Sequence, residues 1–153
     1  MGFEEFCRRL GGEPVKEGYV HRCVAGGETL FEGVEVGDVV IVNATPHELR
    51  FVDGTELAGS TFLARKLSAR PVEESVAEKA KVKIVRTVFQ PAPEGEEVVK
   101  LAREAGVLLA GSIISAQAYG YPPVVSPITT PETSRLPPPQ RRVYLDKWNG
   151  YPK

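Results

Sequence analysis

Residues 39–43 read Val-Val-Ile-Val-Asn, an unbroken run of β-branched apolar side chains that stops at Ala44-Thr45-Pro46-His47. A run this short and continuous fits a strand covered on both faces, the environment of a parallel sheet. Pro46 ends it, because proline has no N–H to donate and holds Thr45 extended. A second buried strand is predicted at 107–110 (Val-Leu-Leu-Ala). It runs into Gly111-Ser112 and a helical stretch, 112–119. Together they predict an α/β fold, a mixed sheet with buried parallel strands and few helices.

The remaining elements are read around these two. Phe3, Phe6, Cys7 and Leu10 share one face of a short helix that Gly11-Gly12 terminates. Residues 19–24 and 28–32 flank Ala25-Gly26-Gly27 as a hairpin. Residues 1–37 thus form a helix-hairpin appendage, too small to hold a core of its own. A core domain is expected over 38–130. Within it, Asp53-Gly54 joins strands 49–52 and 55–57, residues 61–69 alternate loosely as a strand, and 72–80 fit a polar helix or an edge strand. Residues 82–89 alternate as a strand, 94–105 form the best helix, with Gly106 as its stop, and 124–126 form a third short strand. Residues 120–153 hold eight of the 13 prolines. The segment 131–153 is therefore expected as an ordered, extended arm anchored by Tyr144, Leu145, Trp148 and Tyr151, available for self-association.

Composition narrows the functional classes. The chain has 153 residues, 42% hydrophobic and 25% charged, with 19 basic against 20 acidic side chains. This balance offers no broad basic field for nucleic acid. No stretch approaches the roughly 18 apolar residues of a membrane span, and Glu4, Glu5, Arg8 and Arg9 break up any leader-like segment. A cytoplasmic protein is expected. Two Asn, three Gln and one Met are few, a habit of proteins from hot environments. Cys7 and Cys23 read as structural, either as reduced thiols or as a disulfide. With only His21 near them, no zinc set is complete, and no metal ligation is expected.

No Walker loop, GxGxxG, HExxH or GxSxG is present, and no motif names a cofactor. The site expectation therefore rests on topology. Ligands of open α/β sheets bind beyond the carboxyl ends of parallel strands. If 39–43 and 107–110 are parallel neighbours, His47 and Ser112 border one crevice. Asn43, Thr45, Gly111, Ser112, Ser115 and Gln117 are the candidate ligand-binding residues, and His47 is the candidate general base. Ser112 also fits a plain helix N-cap, and Asn43 and Thr45 fit simple turn-holding roles. A small anionic ligand, a nucleotide or phosphorylated metabolite, is expected at this helix start. A hydrolase or transferase using His47, and an oligomeric interaction module, are the alternatives.

The segments Asn43-Ala44-Thr45-Pro46-His47-Glu48-Leu49, Ala64-Arg65, Val82–Phe89 and Leu109–Ala118 resemble a family of small uncharacterised proteins of phage-related and bacterial genomes with an Asn-Leu-Thr-Pro-His signature. The likeness covers about residues 39–128. It differs by Ala44 in place of Leu, by an insertion around 94–105, and by the terminal additions. The resemblance implies Thr45, His47, Ser112 and Gln117 as site residues and assigns no chemistry.

Overall fold

A computed structural model describes residues 2–152. Its centre is a seven-stranded sheet with the spatial order β1-β2-β3-β4-β9-β10-β11. The first four strands, β1 (Glu13–Glu17), β2 (Val20–Ala25), β3 (Glu28–Val36) and β4 (Val39–Asn43), are antiparallel neighbours. Then β4 pairs in parallel with β9 (Leu108–Ala110), and β9 in parallel with β10 (Val124–Thr129). The antiparallel β11 (Val143–Gly150) closes the far edge. The two apolar runs are thus parallel neighbours in a mixed α/β sheet, in the register Ile41↔Leu108, Val42↔Leu109, Asn43↔Ala110.

Burial on both faces follows from strand alternation. Val42 and Leu109 point into one core with Phe3, Phe6, Phe31, Leu63, Val98, Ala102 and Tyr119. Their neighbours Ile41 and Ala110 point into a second core with Leu49, Phe51, Leu57 and Val143. The first core is covered by the helices α1 (Phe3–Arg9), α2 (Thr61–Lys66), α3 (Pro93–Ala105) and α4 (Ile113–Tyr119). The second is covered by the small β5–β6 hairpin (Leu49–Arg50 with Glu56–Leu57) and by side chains of β11, with the Trp148 ring tilted against Phe51, centroids 6.0 Å apart.

The N-terminal helix and hairpin continue the main sheet, and a strand not expected from sequence, β1, extends its edge. Cys7 of α1 and Cys23 of β2 are joined in a disulfide with Cα atoms 5.5 Å apart, which resolves the two readings left open above. Residues 143–150 of the proline-rich segment are built into the sheet as β11.

One element differs from expectation. Residues 61–66 are helical, not a strand. Ser60 caps them, its Oγ accepting from Leu63 N–H at 3.1 Å, and Leu63 and Leu67, four apart, are both buried. A helix-period pair and a cap outweigh a weak period-two pattern in so short a segment. The ambiguous stretch after it is the strand β7 (Ala69–Lys79), which pairs with β8 (Val82–Pro91) as a long separate hairpin.

Candidate functional site

The carboxyl ends of β4, β9 and β10 share one cavity of about 600 Å³. Each strand delivers a different kind of wall. From β4 come Ala44, Thr45, Pro46 and His47. From β9 come Gly111 and Ser112, leading into α4 with Ser115. From β10 come Ser126 and Pro127. Pro138, Arg141 and Val143, from the proline-rich segment, complete the rim.

The loop after β4 is held by Asn43, which is fully buried. Its Nδ2 donates to the carbonyls of His47 (2.9 Å), Ala58 (2.9 Å) and Leu57 (3.3 Å). Its Oδ1 accepts from the Thr45 N–H at 3.0 Å and the Thr45 hydroxyl at 2.7 Å. Gly59 packs so tightly on this loop that a Cβ there would sit 2.5 Å from the Pro46 carbonyl oxygen. The Thr-Pro-His turn is therefore a fixed shape.

Ser112 caps α4, its Oγ accepting from Ser115 N–H at 3.1 Å. Its hydroxyl also donates to Ser115 Oγ at 3.2 Å, and Ser115 in turn donates to the Leu67 carbonyl at 2.8 Å. Gly111 sits where a Cβ would crowd Ser115 and Val124 at 3.2 and 3.3 Å.

Thr45, His47, Gly111, Ser112 and Ser115 all line the cavity. Two candidates do not. Asn43 lies beneath the wall with its hydrogen-bonding atoms directed at backbone and Thr45, and Gln117 is exposed on α4 away from the cavity. The His47 side chain is exposed and makes no hydrogen bond with any described residue.

Two wall residues were not anticipated. Ser126 is fully buried, and its Oγ is the one buried side-chain polar atom without a hydrogen-bond partner among the described residues. Arg141 donates from Nε to the Leu136 carbonyl at 2.9 Å and has no carboxylate partner among the described residues. The strand that carries Ser126 was anticipated at 124–126, but its parallel pairing beside β9, which brings Ser126 to the crevice, appears only in the fold. Arg141 had no signal, because 11 residues, most of them irregular, separate it from β10. No protein family, curated protein or solved structure matches this chain.

Proposed function

We propose that the chain binds a small anionic molecule, a nucleotide or phosphorylated metabolite, in the cavity at the ends of β4, β9 and β10. The orphaned Ser126 hydroxyl in the wall carries this reading. Buried polar groups are nearly always partnered, and one left unmade costs about 1–3 kcal/mol. A ligand oxygen seated there would satisfy it. The cavity lies within the usual range of about 300–1,000 Å³ for small-molecule sites. Arg141 supplies the charge, since a guanidinium has five N–H donors and here gives one to the protein. Because α4 has only seven residues, the anion is assigned to Arg141 rather than to the helix start.

Catalysis by His47 is the second reading. No described residue orients its imidazole, and the Ser112 hydroxyl is bonded to Ser115 rather than to it. General bases are held in one tautomer by a partner, so binding is favoured.

Three further statements belong to this proposal. The chain is a divergent relative of the Asn-Leu-Thr-Pro-His proteins, because both segments that carry the likeness, around Thr45 and around Ser112, meet at the cavity. It works in the cytoplasm of an organism from a hot environment, where intracellular disulfides such as Cys7–Cys23 persist. It self-associates. Among the described residues no helix is long and apolar enough to cross a membrane.

A thermal-shift screen with inorganic phosphate, nucleotides, sugar phosphates and carboxylates tests the binding claim. An anion at 100 times its Kd adds about 2.7 kcal/mol of stability. Arg141→Met and Ser126→Ala should each diminish that shift. A panel that moves nothing, or a shift indifferent to both substitutions, ends the reading.

A further inference from the structure

The β7–β8 hairpin pairs from Ala69↔Pro91 at its root to Lys79↔Val82 at its tip. Every residue from Glu73 to Thr87 is exposed. That includes Val82 at 62%, Val76 at 59% and Ile84 at 45%. Two-stranded ribbons are marginal in water when nothing covers them, and exposed apolar strand faces mark association surfaces.

The register fixes what one face carries, since cross-strand partners point to the same side. Val72 and Val88 form an apolar rung, Glu74 and Arg86 the next, and Ala77 and Ile84 the apolar rung beyond it. Arg86 binds Glu74 at 2.8 Å across the ribbon. This face sets one Glu–Arg rung between two apolar rungs, with Arg70–Gln90 and Lys79–Val82 as its outer rungs.

We propose that this face docks on the same face of a second copy of the chain, about a two-fold axis through the Glu74–Arg86 rung. The axis runs parallel to the strands, so Glu74 of each ribbon meets Arg86 of the other, and each apolar rung meets the same rung of the second copy. Self-complementary contact of this kind is what a two-fold interface requires. Eleven residues of strand span about 35 Å, so one ribbon face falls in the weak, transient class, below about 1,200 Å² in total. The dimer forms and dissociates with concentration. Lys79, Lys81 and Lys83 stand at the ribbon's tip, but the middle of this face holds the Glu74 carboxylate, which a nucleic-acid phosphate chain laid along it would meet. The proposal stands apart from the anion cavity, and either can fail without the other.

The test is light scattering of the full chain over a dilution series from millimolar to micromolar. The mass should fall from twice the chain mass to the chain mass. Glu74→Arg and Arg86→Glu should each be monomeric throughout, because each puts like charges across the axis. An equimolar mixture of the two variants should recover the dimer, since every cross-pair is then opposite in sign. Rescue by mixing separates docking from misfolding. A wild type monomeric at every concentration, variants that still dimerise, or a mixture that stays monomeric would overturn the proposal. So would a monomer that retards duplex DNA, which would give the ribbon to nucleic acid.

Discussion

Asn43 shows how a residue can be placed correctly and its role misjudged. It sits at the end of the buried strand, where a ligand-binding side chain was expected, but it spends both ends of its amide on the loop that carries Thr45 and His47. Sequence offers this turn-holding role beside the binding one and does not choose between them. A strand buried on both faces has no polar side, so alternation does not say which way Asn43 turns. Replacing it with Ala takes this partner from the Thr45 N–H and from the Leu57 and Ala58 carbonyls, while the His47 carbonyl keeps the Thr45 hydroxyl. We expect a loss of about 3 kcal/mol, read as a lower urea midpoint with an unchanged slope. A cost under about 0.5 kcal/mol would show that the loop holds itself. Ser126 is the opposite case, a modest serine in the sequence whose importance appears only when its neighbours are in place.

At the scale of elements, uniform patterns were legible and mixed ones were not. The runs 39–43 and 107–110, the helix from Pro93 to Ala105 with left-handed Gly106 after it, and the strand from Val82 were all readable, because several residues agree on one period. The helix at 61–66 has barely two turns, and its evidence is a cap contact that sequence only hints at. The long hairpin turns at Ala80, the one non-glycine among the described residues with positive φ, at 56°. An L side chain there costs about 1–2 kcal/mol. Ala80→Gly should therefore stabilise the ribbon by about 1 kcal/mol, seen as slower amide exchange in β7 and β8. Unchanged exchange would mean that the tip is not strained. The hairpin's root is held by Tyr119, whose hydroxyl donates to the Ser68 carbonyl at 2.8 Å and accepts from the Ala92 N–H at 2.9 Å. Burial raises the Tyr119 pKa.

For the whole molecule, the disulfide ties the N-terminal helix to the sheet edge across a 16-residue separation. A loop of that length contributes about 3 kcal/mol in the chain-entropy account. Reduction should lower stability by about that amount without unfolding the sheet, measured by denaturation with and without reductant. An unaffected midpoint would show the bridge to be idle. On the same face of the sheet, Lys16 and His21 both bind Glu35, at 2.9 and 2.7 Å. The Lys16 hydrogen bond, and after it the His21 one, holds the Glu35 carboxyl below its ordinary pKa. The folded chain thus takes up that proton less readily than the unfolded chain. The resulting stability is complete above about pH 4.3 and is lost as pH falls through the depressed folded value. Glu35→Gln should flatten this acid limb in pH-dependent melts, and a limb as steep as the wild type's would assign it elsewhere.

The parallel pairing of two apolar runs, read from sequence, is what brings Thr45, His47 and Ser112 to one place. Ser126 and Arg141, which give that place its polar floor and its charge, come from elements that only the folded chain brings in. The most direct measurement is backbone amide NMR of the full chain titrated with the anion that gives the largest thermal shift. The account predicts saturable perturbations grouped at His47, Gly111, Ser112, Ser126 and Arg141. Perturbations confined to the hairpin lysines, or none at these five residues at saturation, would contradict it.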